Sequence, residues 1–305
     1  MLQSKSLKYN AQILSSNDSS VGDFFSLLKP RVMTLAVFTS ICGVLLAPQS
    51  IHPFFFFISI LCISIGAGAS GAINMWYDRD IDSLMERTKK RPIPIGKVEP
   101  LDALGFGVVL SVISTIVLGL AVNYKAAFLL AFSIFFYIFV YTVWLKRRTS
   151  QNIVIGGAAG ALPPVIGWAI ATGSVSVEPI ILFLIIFVWT PSHFWALSLF
   201  KSEDYKKANI PMLPVTSGVE TTKKNIFVYS ILLFPVAIAP YYIDFLGLIY
   251  LLFSFPLSAY YIFICFRLLR TKDKKSERSI SKQIFAFSIL YLFAIFISIL
   301  VDKFA

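Results

Sequence analysis

Three side chains able to hold a hard cation recur at spacing four in Asn74-Met-Trp-Tyr-Asp78-Arg-Asp-Ile-Asp82. On an α-helix, residues four apart lie about 40° round and about 6 Å along from one another, so Asn74, Asp78 and Asp82 form one polar stripe. Such a stripe suits Mg2+, which binds through one or two carboxylates and fills its shell with water and substrate phosphates. Asp80 falls off the stripe and reads as a solvated acid. The same stretch could instead be a solvated helix end whose acids pair with Arg79, Arg87 and Lys89-Lys90-Arg91. Asn74 weighs against that, because it falls at or inside the bilayer boundary inferred below, where polar groups are costly and mark function.

A second segment supplies a partner: Pro191-Ser-His193-Phe-Trp195, then Lys201-Ser-Glu-Asp204-Tyr205. Asp204 and Lys201 follow an apolar run and fall at the same depth as Asp78 and Asp82. A diphosphate leaving group needs metal-bridging acids together with cations that neutralise the charge it gains. Arg31, Arg87, Arg91, Lys146, Arg147 and Lys201 share that face, although each alone serves equally well as a topology-setting surface charge. Of the two histidines, His52 reads as an interface residue at the outer end of a helix. His193 lies in an apolar run beside Trp195, either satisfied structurally or serving as a ligand.

The elements that position these residues are membrane helices. The 305 residues are 57% hydrophobic and only 14% charged, and the apolar material comes in long runs, so the surrounding solvent is lipid. Runs of about 20 residues near 30–48, 53–74, 102–122, 124–144, 152–172, 178–200, 225–243, 246–268 and 281–301 predict an all-α bundle of nine spans. With the N-terminus in the cytoplasm and the C-terminus outside, 25 of the 27 basic residues fall on the cytoplasmic side, leaving only Lys125 and Lys303 opposite. The net charge of +11 therefore orients the protein and does not imply nucleic acid. Residues 1–28 read as a polar cytoplasmic tail, lacking both a signal peptide and the Arg-rich, acid-poor composition of a mitochondrial presequence. Residues 29–305 read as one membrane domain. The three cysteines are scattered through apolar runs and support neither disulfides nor zinc. The connections at 75–101 and 201–224 each exceed twenty residues, and both carry acids, bases and prolines, which marks them as functional and hints at an internal duplication. The run Gly156-Gly-Ala-Ala-Gly-Ala161 reads as a tightly packed interior helix.

At these residues the chain resembles the UbiA-type intramembrane prenyltransferases, and within them the heme-farnesylating branch. The likeness is carried by Leu28-Lys-Pro-Arg31-Val32, by the 74–94 block ending Arg91-Pro-Ile-Pro94, and by Leu145-Lys146-Arg-Arg-Thr149 through Gly167-Trp168. The fourth segment is His193-Phe-Trp195 through Asp204-Tyr205 to Ile210-Pro-Met-Leu-Pro214-Val215. The resemblance implies metal ligands Asn74, Asp78, Asp82 and Asp204, the three aspartates being catalytic. It implies substrate contacts from His193, Trp195, Arg31, Arg87, Arg91, Lys146 and Lys201. It also implies Mg2+ and a reaction in which the farnesyl group of farnesyl diphosphate passes to a vinyl group of heme b with addition of water, giving heme o for terminal oxidase assembly. His193 would position the heme, since heme iron commonly takes an axial histidine. Heme a synthase or an oxidase assembly factor would be the protein partner, and a bacterial inner membrane the location, with the site on the cytoplasmic face. The second motif departs from the full D-x-x-x-D of many members: Ala208 occupies the last position, and Glu203 is the nearest substitute.

Two rivals fit less well. A prenyltransferase with a hydroxybenzoate acceptor would want an arginine deep in the cavity, and no arginine lies mid-span here. A transporter would place ionisable groups near the bilayer midplane, whereas here the polar cluster lies at one face.

Overall fold

A computed structural model of the chain describes residues 19–305, and among these all regular structure is helical. Residues 1–18, the greater part of the expected polar tail, lie outside them. The chain opens with α1 (Val21–Leu27) and α2 (Pro30–Leu46), then α3 (Pro53–Tyr77), the short α4 (Arg79–Leu84) and α5 (Pro100–Ala121). Next come α6 (Tyr124–Phe135), continued without a break by a π-helical segment (Phe136–Leu145), and α7 (Asn152–Ala161) followed by α8 (Pro163–Thr172). The second half comprises α9 (Val177–Phe200), the short α10 (Ser202–Lys207) and α11 (Leu213–Thr216), α12 (Gly218–Tyr242), α13 (Leu248–Arg270) and α14 (Lys274–Phe304).

Among the described residues, eight helical stretches are long and apolar enough to cross a membrane, and the pair α1–α2, bent by 56°, makes a ninth when taken as one span. Phe128, Phe139, Leu252 and Leu290 are more than half exposed on these helices, a surface that only lipid tolerates. The protein is an integral membrane protein. Successive spans run in opposite directions, which brings Asp78, Lys146, Asp204 and Thr271 to one face of the bundle, hereafter the motif face. On the opposite face Asp302 accepts backbone hydrogen bonds from Gly247 (2.6 Å) and Tyr250 (3.0 Å), tying the end of α14 to the start of α13.

Small residues set the closest helix contact. A Cβ on Gly43 of α2 would meet the Pro164 carbonyl oxygen at 2.2 Å, and one on Gly167 of α8 would meet the Ser40 oxygen at 2.0 Å. The two helices therefore cross backbone to backbone, the arrangement small residues allow in lipid. Gly156, Gly157, Ala159 and Ala161 of α7 are buried as expected, whereas Gly160 is exposed with open space beside it.

Two expectations need correction. Residues 21–27, read as polar tail, are α1. Ser20 and Asp23 form a reciprocal capping box, Leu27 is fully buried with Ala72, Met75 and Ala103, and Phe24 packs edge-on to Phe106 at 5.2 Å. Counting polar residues missed the cap and the apolar face behind it. The 201–224 connection is also shorter than expected, because α12 begins at Gly218. Lys223, read as a loop charge, is fully buried and donates to Glu220 (2.8 Å), Glu277 (2.8 Å) and the Thr271 carbonyl (2.8 Å). An ammonium tolerates burial when carboxylates and a carbonyl take its three protons.

Candidate active site

The stripe of Asn74, Asp78 and Asp82 spans a break between two helices. α3 ends at Tyr77, Asp78 is the joint, and Asp82 lies in α4. Backbone bonds from Asp78 N to Asn74 O (2.9 Å) and from Asp82 N to Asp78 O (2.8 Å) carry the helical register through the joint, so spacing four still aligns the three side chains. All three are buried, at 3%, 0% and 2% exposure.

Such burial requires partners. Asn74 Nδ2 donates to Asp78 Oδ2 (2.8 Å) and to Thr142 Oγ1 (3.0 Å), while its Oδ1 accepts from Lys29 Nζ (2.7 Å). Asp78 Oδ2 also accepts from Lys146, and Asp78 Oδ1 lies 3.4 Å from Arg147 Nη2. Asp82 pairs with Arg91 at 2.5 Å. Asp80 is exposed as expected, yet it is bidentate with Arg147 at 2.7 Å to each oxygen, and those hydrogen bonds hold its carboxyl below the ordinary aspartate range. The carboxylates of the first motif thus stand among basic side chains, and among the described residues no three His, Cys, Asp or Glu groups are gathered to hold a metal ion without rearrangement.

Several of these contacts depend on residues the sequence did not single out. Lys29 lies at the bend between α1 and α2 with φ of +53°, a left-handed conformation costing a non-glycine residue about 1 kcal/mol or more. The bend aims its side chain at Asn74, within electrostatic reach of Arg91, Lys146, Asp82 and Asp78. Thr142 belongs to the π segment, where its hydroxyl donates to the Tyr137 carbonyl five residues back (2.8 Å) while receiving the Asn74 amide. The wider coil turns Thr142, Tyr137 and Tyr141 toward the stripe, in keeping with the frequency of π geometry at functional sites. Tyr141 fits because α7 has Gly156, where a Cβ would stand 2.2 Å from its ring.

The second motif comes to the first through an apolar staple. Ile81 and Met85, in and just after α4, pack in one cluster with Tyr205, Ala208, Ile210 and Met212, joined by Ile153, Tyr141 and Phe194. Asp204 is buried on α10, 3.8 Å from Lys201, and its Oδ2 has no hydrogen-bond partner. Ala208 faces the staple, whereas Glu203 is exposed. Arg31 and Arg87 are exposed and form no ion pair among the described residues, although Arg87 lies within electrostatic reach of Tyr141. His193 is 7% exposed, sandwiched between Trp189 (4.3 Å) and Phe285 (4.7 Å). Its Nδ1 bonds Ser288 Oγ at 2.6 Å, and its Nε2 makes no hydrogen bond among the described residues. Trp195 is 1% exposed, edge-on to Tyr229 at 5.3 Å, with Nε1 unpartnered.

The family model described as the UbiA prenyltransferase family matches residues 36–297. The chain belongs to that family. It is similar to the protoheme IX farnesyltransferase of Pelagibacter ubique (strain HTCC1062), 57% identical over 294 residues that cover 96% of this chain and 97% of the relative. Other relatives of the same name are 52–57% identical over most of the chain. Among solved structures, a digeranylgeranylglyceryl phosphate synthase superposes with a TM-score of 0.76 at 18% identity, covering 92% of this chain and 98% of that one. A UbiA homolog from Archaeoglobus fulgidus bound to DMAPP and Mg2+ gives 0.64 at 18% identity, covering 88% and 99%. At such identity these two structures speak for the shared fold, and the bundle described above is the family's architecture.

Proposed function

We propose that this family member transfers the farnesyl group of farnesyl diphosphate to a vinyl group of heme b, with addition of water, giving heme o for terminal oxidase assembly. The observation that carries the reading is the stapling of two aspartate-bearing helix ends among more cations than they neutralise. Asp78, Asp82 and Asp204 are surrounded by Lys29, Arg91, Lys146, Arg147 and Lys201. Such a surplus suits a polyanion, and a prenyl diphosphate supplies one. The names of the relatives narrow the acceptor to heme.

The donor set fits Mg2+. Its atoms are hard oxygens, and the buried Oδ2 of Asp204 accepts no hydrogen bond among the described residues, with Lys201 Nζ standing 3.8 Å away. Asn74, Asp78, Asp82 and Asp204 would hold the metal, which when bound would draw charge from the diphosphate. Lys146 and Arg91 would then exchange their aspartates for phosphate oxygens, and Lys29 would follow from the Asn74 side. These cations stabilise the negative charge released as the allylic C–O bond opens, and the apolar interior shields the farnesyl cation from water. The terminal vinyl carbon bonds to the farnesyl C1, and water adds at the inner carbon with loss of a proton. His193, with Nδ1 held by Ser288 and Nε2 unengaged, is suited to orient the heme through its iron, beside Trp195.

We place the site on the cytoplasmic face of a bacterial inner membrane, as the distribution of Lys and Arg favours. Heme a synthase or an oxidase assembly factor would receive the product. The test is incubation of purified protein with heme b, farnesyl diphosphate and Mg2+, followed by mass analysis of the porphyrin. Conversion of one vinyl group to hydroxyethylfarnesyl, a gain of farnesyl plus hydroxyl that chelation abolishes, is expected; unaltered heme overturns the reading. Unchanged heme affinity and spectrum in His193→Ala would remove the ligand role.

A further inference from the structure

Away from the aspartates, a cavity of about 530 Å³ opens on the motif face between the end of α13 and the start of α14. Arg267, Arg270, Ser276 and Ser279 line its polar side, and Phe263 and Phe266 its apolar side. The two arginines, three residues apart, project from the same side of α13. The guanidinium of Arg267 lies 6.0 Å from the Phe263 ring, and Phe263 and Phe266 are 54% and 45% exposed on the surface that faces lipid.

The charge here is unbalanced. Residues 267–282 hold Arg267, Arg270, Lys272, Lys274, Lys275, Arg278 and Lys282 against two acids, Asp273 and Glu277. Both acids are engaged: Asp273 caps the Ser276 amide at 2.8 Å, and Glu277 accepts from the buried Lys223 at 2.8 Å. Neither arginine has an ion pair among the described residues. The base of the cavity is fixed, because Lys223 of α12 also holds the carbonyl of Thr271, another lining residue.

The geometry points to a binding site for one anionic phospholipid, its phosphate between Arg267 and Arg270 and its acyl chains against Phe263 and Phe266. A basic recess between helix ends, with aromatic rings directly below it, matches both halves of such a molecule. A free phosphate ion would use the cations but would leave the exposed rings without a role.

Native mass spectrometry of the full chain, released from membranes of dioleoylphosphatidylcholine with a minor fraction of dioleoylphosphatidylglycerol, tests this. The expected result is retention of one phosphatidylglycerol molecule. Arg267→Gln/Arg270→Gln should weaken retention about thirtyfold, the effect of removing two cations at a membrane surface. Ser279→Glu, which adds a charge inside the cavity without touching the arginines, should also release the lipid. Lys272→Gln/Lys275→Gln, which alters neighbouring charges outside the cavity, should retain it. Equal loss in that last variant would mean diffuse attraction only and overturns the site. Displacement of the lipid by millimolar inorganic phosphate alone would reassign the recess to free phosphate, which overturns the lipid proposal as well.

Discussion

Two regions of this bundle bury polar groups in opposite ways. Around Asp78, the buried polar side chains of the stripe are each tied to a cation: Asn74 to Lys29, Asp78 to Lys146, Asp82 to Arg91. Between α9, α13 and α14 the buried polar side-chain groups are neutral: hydroxyls, one imidazole and the indole N–H that Trp189 donates to the Ser288 carbonyl (2.9 Å). Ser192 bonds Tyr261 (2.8 Å), Ser258 bonds Tyr291 (2.9 Å) and Ser288 bonds His193 (2.6 Å). A helix serine or threonine can return its proton to a carbonyl three or four residues back, so it enters an apolar helix at little cost. Buried charges cost several kcal/mol each unless closely paired. On the proposed reaction, placing them at one end would let a diphosphate exchange with the internal partners and would leave the neutral region to the isoprenoid chain and the macrocycle.

The contrast can be broken most severely at the stripe. Asp78→Asn or Asp82→Asn should lower farnesyl transfer by about a thousandfold in the porphyrin mass assay, and full turnover in either would remove the metal role. Next in size is Gly156→Ala, whose new Cβ would displace the Tyr141 ring from beside the stripe. A shift of about 1 Å there should reduce turnover about a hundredfold, while circular dichroism shows the helices intact. In the neutral region Ser288→Ala leaves His193 Nδ1 unpaired, at a cost of about 1–3 kcal/mol. Heme titration should show about tenfold weaker binding, whereas Ser258→Ala, in the separate Ser258–Tyr291 pair of the same region, should leave heme affinity unchanged.

The smallest effect belongs to Asp80→Asn. The Asp80–Arg147 pair is exposed at the aspartate, so its removal should change stability by no more than about 1 kcal/mol. The folded carboxyl is held below its unfolded value, so this contribution is complete above the unfolded value and is lost as pH falls through the folded one. Wild type and variant should therefore differ in thermal unfolding at neutral pH and converge in strong acid.

The spans were legible because a bilayer enforces long apolar runs, and the aspartate stripe was legible because spacing four survives the joint at Asp78. Lys29 was counted only as a topology charge, since a left-handed bend that turns it inward has no signal in Lys-Pro-Arg. Lys223 was misread because Glu277 and the Thr271 carbonyl, which complete its burial beside the local Glu220, lie about fifty positions along the chain. Asp204 could be found by its motif, but the staple that delivers it is built from Ile, Met and Tyr residues indistinguishable in the sequence from ordinary membrane-helix packing.

The π segment also affects how chain length relates to shape. A coil bonded five residues apart stores more chain in each turn than one bonded four apart, so the stretch from Phe136 to Leu145 contains slack that an ordinary helix lacks. Deleting a single residue there would let the coil tighten toward an ordinary helix with little change in the length of the span. Thr142 would then swing away from Asn74, a silent loss that hydropathy plots and span lengths would not register.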